Sequence, residues 1–208
     1  MTHPRFPHRG LYAITDGPRA DLLEAVAQAL AGGARVLQYR DKTTDSARRQ
    51  AEAVALRQFC DAHAVPLIIN DDIALAVAVG ADGVHLGRDD SEVAAARAAL
   101  GAGAMIGVSC YDSLDRARAA AAAGADYVAF GAFFPSPTKP HAARASLDLL
   151  RQSATLGLPR VAIGGITPDN ARSLVEAGAD FLAVISAVFG ATDVRVAAQR
   201  FARLYPSD

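Results

Sequence analysis

Apolar positions in this chain follow two rhythms. Short runs such as Pro66-Leu67-Ile68-Ile69 and Phe181-Leu182-Ala183-Val184-Ile185 are apolar on both faces, as parallel strands wrapped by helices need to be. Between these runs the apolar residues recur at helical spacing among alanine, arginine and acidic residues. The pattern predicts strands over 11–15, 35–40, 66–70, 83–87, 105–110, 127–131, 160–165 and 181–186. It predicts helices over 22–31, 46–63, 73–79, 92–100, 114–123, 147–156, 168–177 and 195–204. The alternation is unbroken, which leaves either a closed barrel or an open doubly wound sheet.

A short signature marks the joints. Gly33-Ala34-Arg35, Gly80-Ala81-Asp82, Gly124-Ala125-Asp126 and Gly178-Ala179-Asp180 each end a helical segment and precede a strand. Glycine just past a helix end takes the left-handed conformation without strain, so a short loop feeds the next strand. The spacing of the copies is about two βα units. Eight units, the paired repeat and the lack of a glycine-rich fingerprint after the first strand select a (β/α)8 TIM barrel within the α/β class. A length of 208 residues without a linker or composition break fits a single domain. Residues 1–10 read as an N-terminal extension, 11–186 as the core and 187–208 as a C-terminal helix.

Charge narrows the partners. With 21 basic against 22 acidic residues, no broad field attracts nucleic acid or anionic lipid, so any anion must be met locally. Residues 1–10 hold Pro4, Arg5, Pro7 and Arg9 but no apolar core, and no later run approaches a membrane span, so a cytoplasmic location is expected. Small phosphorylated substrates are the expected partners, and a homo-oligomer stays open. Cys60 and Cys110 are the two cysteines. Neither belongs to a Cys/His cluster with metal-ligand spacing, and both read as reduced packing residues.

Barrel chemistry gathers at the C-terminal strand ends. The second strand ends Gln38-Tyr39-Arg40-Asp41-Lys42. Alternation puts Gln38 and Arg40 on one face and Leu37 and Tyr39 on the other, so if the latter meet the helices the former enter the barrel. A buried arginine needs an anion, here a ligand or a salt bridge from another strand. The third strand ends Asn70-Asp71-Asp72, and the fourth leads through His85 to Arg88, Asp89 and Asp90. Magnesium is commonly held by one or two carboxylates plus substrate phosphates, and this sparse acid pair could serve it. Asp90 reads equally well as a helix N-cap; His85 could be a base, though a lone histidine in an apolar strand is more often a satisfied core residue, and it is left unassigned. On the fifth strand Ser109 faces inward, with no histidine following closely, so an activated nucleophile is not expected.

The longest irregular stretch runs from Gly131 to Pro140. Ser136, Thr138 and Lys139 supply hydroxyls and a cation there, while Pro135, Pro137 and Pro140 restrict the backbone. It is either a binding loop or a solvated surface loop. Ile163-Gly164-Gly165-Ile166, with Thr167 and Pro168 as cap and first helical residue, and Ile185-Ser186 end the last two strands. Those loops are where barrels most often hold a phosphate, and glycine there allows either close approach or tight turning.

Taken in order, these motifs resemble the thiamine-phosphate synthase family. The likeness covers Leu11 to Ser186 and rests on Leu11-Tyr12 to Thr15-Asp16, Gln38 to Lys42, Ile69-Asn70-Asp71, and Asp82-Gly83-Val84-His85-Leu86-Gly87. It continues with Gly107 to Ser109, Thr138-Lys139, Ile163 to Ile166 and Ile185-Ser186. The resemblance implies a magnesium-dependent, dissociative displacement joining hydroxymethylpyrimidine diphosphate to thiazole phosphate, with Mg2+ the cofactor. It implies a pyrimidine diphosphate site of Gln38, Tyr39, Arg40, Asp41, Lys42, Asn70, Ser109 and Lys139, with Arg40, Ser109 and Lys139 catalytic. It implies a thiazole phosphate site of Ser136, Pro137, Thr138, Gly165, Ile185 and Ser186, and Asp71 and Asp90 as metal ligands.

Three positions depart from the family's usual pattern: Ser136 for threonine, Asp72 for arginine and Arg88 for glutamine. Asp72 bears on the charge balance beside the metal. Two other readings belong to the same residues: a thiazole tautomerase, which lacks need of the pyrophosphate groups, and a non-catalytic barrel that binds a phosphorylated ligand.

Overall fold

The computed structural model describes residues 7, 9–87, 91–135 and 144–205. Eight parallel strands, β1 (Gly10–Ile14), β2 (Ala34–Tyr39), β3 (Leu67–Asn70), β4 (Gly83–Leu86), β5 (Met105–Tyr111), β6 (Tyr127–Phe130), β7 (Arg160–Ile163) and β8 (Phe181–Val184), close into a barrel in sequence order. β1 pairs with β8 to complete the ring. The helices are α1 (Leu22–Ala31), α2 (Ser46–Ala62), α3 (Ile73–Val79), α4 (Ser91–Leu100), α5 (Leu114–Ala122), α6 (Leu147–Gln152), α7 (Arg172–Glu176), α8 (Ser186–Phe189) and α9 (Val194–Ala202).

Strand alternation sorts the apolar residues into two layers. Leu11, Leu37, Ile69, Val84 and Leu182 pack outward against the helices, whereas Tyr12, Val36, Ile68, Met105, Tyr127 and Phe181 fill the interior. Six of the eight predicted strands run one or two residues too far at their C-terminal ends, because the barrel's hydrogen bonding stops where the loops begin; 66–70 ends with β3, and 105–110 stops one residue short of β5. Helix 147–156 tightens into a 3-10 turn over Ser153–Leu156. The helix predicted over 168–177 shortens to α7, and α8 was not predicted at all.

The repeated signature has a structural meaning. Asp82, Asp126 and Asp180 each donate a backbone N–H to a carbonyl of the previous strand, at Leu67, Ile106 and Arg160. Each carboxylate then accepts the backbone N–H of that same residue, at 2.9, 2.8 and 2.8 Å. Arginine neutralises each one: Arg57 for Asp82, Arg97 for Asp126 and Arg160 for Asp180. The clasp thus closes the N-terminal end of the barrel at β4, β6 and β8, leaving the opposite end for chemistry.

Candidate active site

All described candidate residues lie at the C-terminal strand ends, around one mouth. Gln38 is inward and buried, sharing the face of interior Val36. Arg40 follows β2, where its N–H donates to Thr15 Oγ1 at 2.8 Å and its carbonyl accepts from the same hydroxyl at 3.2 Å. Its side chain is half-buried and that of Lys42 exposed. Among the described residues no carboxylate pairs with either cation, so the internal salt bridge is not formed there.

Two members of the predicted diphosphate set are engaged by side chains of α2. Tyr39 is buried and its hydroxyl donates to Glu52 of α2 at 2.6 Å; burial and the neighbouring carboxylate both raise its pKa. The Asp41 carboxylate borders the mouth cavity but is itself buried, accepting from Thr43 N–H at 2.8 Å and pairing with Arg48 at 2.8 Å. Burial would raise its pKa, yet the Thr43 hydrogen bonds and the Arg48 and Arg49 charges hold it below the usual carboxylate range. Both side chains also serve the packing of β2 on α2, as their parity dictates.

Asn70 ends β3 and donates from Nδ2 to Asp71 Oδ2 at 2.7 Å. Asp71 sits at φ 60°, a left-handed backbone that aspartate tolerates better than most residues, and its N–H bonds to the carbonyl of His85 on β4. Its carboxylate leans toward Gly87, where the β4 loop departs. A cavity of about 530 Å³ opens here, lined by Asp41, Lys42, Thr43, Arg49, Asn70, Asp71, Asp72 and Ile73. The Asp72 departure is answered: its carboxylate caps α3 at Leu75 N–H, 2.9 Å, and pairs with Arg49 at 2.8 Å. Of the three carboxylates lining the cavity, only Asp71 is uncommitted to an arginine among the described residues.

Ser109 lies inward beside a register shift between β5 and β6, the kind of irregularity that re-aims a strand end. His85, which reads from sequence as a core residue, reaches it across the interior: Nε2 is 2.9 Å from Ser109 Oγ and Nδ1 is 3.1 Å from Tyr127 Oη. Burial pushes His85 down to about 4, only partly offset by the Asp71 charge, so the ring is neutral near pH 7. Tyr12 and Tyr127 extend the network and were not anticipated; their inward parity, beside Ile14 and Ala129, was the available signal.

On the far side, Gly164 and Gly165 take φ of 101° and 65°. Space for a Cβ on Gly165 is filled by the carbonyls of Phe134 and Pro135, so tight turning explains that glycine. Asn170 accepts from Thr167 N–H at 2.9 Å and donates to the Gly165 carbonyl at 3.0 Å. The turn from Pro168 is closed as well by the Thr167 carbonyl, which accepts from the N–H groups of Asn170 and Ala171 at 3.2 and 3.1 Å, with α7 following from Arg172. Ser186 is not a strand end but the first residue of α8, with Ile185 as the preceding cap position. Arg19 anchors α8 by donating to the Phe189 carbonyl at 2.9 Å and lying over its ring. Ser136, Pro137, Thr138, Lys139, Arg88 and Asp90 fall outside the described residues.

Fold and mouth together define the class: a single-domain (β/α)8 barrel with its polar groups collected at the C-terminal end, as barrel enzymes have them. A family model described as thiamine monophosphate synthase matches residues 11–188. A thiamine-phosphate synthase of Xanthomonas campestris pv. campestris (strain 8004) is 62% identical over 195 residues, covering 93% of this chain and 94% of the relative. One from Nitrosococcus oceani is 56% identical over 203 residues, covering 96% and 94%. The solved thiamine phosphate pyrophosphorylase from Pyrococcus furiosus superposes with a TM-score of 0.84 at 37% identity, covering 96% of each chain. The chain belongs to the thiamine monophosphate synthase family, and with it to the transferases of thiamine biosynthesis.

Proposed function

We propose that this enzyme joins 4-amino-2-methyl-5-hydroxymethylpyrimidine diphosphate to 4-methyl-5-(2-hydroxyethyl)thiazole phosphate, with one Mg2+, giving thiamine phosphate and pyrophosphate. The thiazole nitrogen forms a bond to the pyrimidine methylene as the methylene–oxygen bond to the diphosphate breaks. No side-chain base is required, because the attacking nitrogen carries no proton to remove. The barrier is governed by stabilisation of the departing anion and by alignment of the thiazole.

The observation that carries this reading is the pair Arg40 and Lys42 at the end of β2, unanswered by any described carboxylate, with Lys42 lining the same cavity as Asp71, the lining carboxylate that no described arginine pairs with. Two cations at the mouth call for an anion. Asp71 with Asn70 offers oxygen donors suited to Mg2+, which when bound would neutralise charge on the leaving diphosphate. Asp90 and Lys139, carried from the family resemblance, would complete that side. The thiazole phosphate would meet the backbone N–H groups of the Gly164-Gly165 loop and the start of α8 at Ser186, with Thr138 from the loop after β6.

Incubating both half-molecules with the protein, with and without Mg2+, tests the proposal by measuring thiamine phosphate and pyrophosphate together. Equimolar products that vanish on chelation are expected. Ligand binding without pyrophosphate release, or an undiminished rate after chelation, would overturn it.

A further inference from the structure

A polar chain crosses the barrel interior. Gln38 Nε2 bonds to Tyr12 Oη at 2.9 Å, Tyr12 Oη to Tyr127 Oη at 2.8 Å, Tyr127 Oη to His85 Nδ1 at 3.1 Å, and His85 Nε2 to Ser109 Oγ at 2.9 Å. Its members come from five strands and sit among Ile14, Val36, Met105 and Phe181. Buried networks of this kind are costly when half-satisfied, so the direction of each proton matters.

One end sets that direction. An amide nitrogen only donates, so the Tyr12 oxygen accepts from Gln38. The Tyr12 proton is then directed to Tyr127, the other partner of that hydroxyl. Tyr127 accepts there and turns its own proton toward Nδ1 of His85, whose ring stacks on it at 5.7 Å. A neutral imidazole that accepts at Nδ1 carries its proton on Nε2. Nε2–H therefore donates to Ser109 Oγ, and the serine proton is left for an acceptor outside the chain. Gly107 makes the arrangement possible, since a Cβ there would fall on the Tyr127 ring.

We propose that this chain is a one-way sequence of hydrogen bonds that presets Ser109 as a donor toward the mouth, with Tyr12, Tyr127 and His85 as positioning residues. It rests on the diphosphate reading given above, in which Ser109 faces an anion. With the chain reversed, the serine proton would be spent on Nε2 and an oxygen lone pair would confront the anion instead.

Two-bond 1H–15N correlation spectra of the substrate-free protein, labelled at its 5 histidines, read the direction. The His85 signals are those lost in His85→Gln. We expect the Nε2–H tautomer in the wild type and a shift toward Nδ1–H in Tyr127→Phe; an Nδ1–H or charged ring in the wild type overturns the proposal. In turnover, Tyr127→Phe and His85→Leu should each lose about 10- to 100-fold in kcat, with KM for the diphosphate within about threefold of wild type. His85→Gln, whose amide reaches toward Ser109, should recover most of the His85→Leu loss; no recovery also overturns the proposal. A wild type that forms no thiamine phosphate would sink the reaction assignment alone, leaving the tautomer result standing.

Discussion

Asp71 concentrates the residue-scale chemistry: a left-handed backbone, a bond to the neighbouring strand and a carboxylate aimed past Gly87. Asparagine tolerates the same backbone, so Asp71→Asn removes charge with little strain. We expect kcat at saturating substrate and Mg2+ to fall about 10²- to 10³-fold with an unchanged thermal midpoint; turnover near wild type would take Asp71 out of the ligand set. His85 makes a separate prediction through pH. Its pKa drops from the ordinary 6.5 to about 4 on folding, so the unfolded chain binds the extra proton between those values. Stability from this group is full above pH 6.5, declines as the pH falls toward about 4 and then levels, a loss on the order of 3 kcal/mol. Urea midpoints at pH 7 and 4.5 should diverge less in His85→Gln than in the wild type. Alternation alone placed Gln38 and Ser109 inward and Tyr39 outward. It could not reveal that His85 meets Ser109, because the two are 24 positions apart and meet only through the β4–β5 register.

Elements are tied together by the aspartate clasps, and the sequence displayed them as a repeat before their purpose was visible. Asp126→Ala strands the Ile106 N–H and removes the carboxylate that pairs with Arg97. Leaving such a donor unsatisfied costs about 1–3 kcal/mol, so the urea midpoint should drop with an unaltered m value. One element escaped sequence reading and another was read too long, both because they are short. α8 has 4 residues and α7 has 5, too few to establish helical periodicity. Ahead of α7 a turn bonds the Ala171 N–H to the Thr167 carbonyl, and the Asn170 side chain braces it by bridging Thr167 and Gly165.

At the scale of the molecule, closure is the decisive event. β1 pairs with β2 on one side and β8 on the other, and α9 covers the seam, with Phe201 fully buried. Phe201→Ala should therefore cost about 3–5 kcal/mol. One cooperative transition at lower temperature is expected by calorimetry; a second, separate transition would show that the C-terminal helix folds apart from the barrel. Among the described residues no helix is long and apolar enough to cross a membrane. Strand order, strand parity, the mouth at which Arg40, Lys42, Asn70 and Asp71 collect, and the family were all written in the chain, because each depends on local pattern or on contiguous motifs. Which groups answer one another was decided only by the closed barrel. Arg49 neutralising Asp72, Arg48 claiming Asp41 and the chain from Gln38 to Ser109 join residues whose separation in sequence carries no sign of their contact, since parallel strands bring partners together through register and curvature.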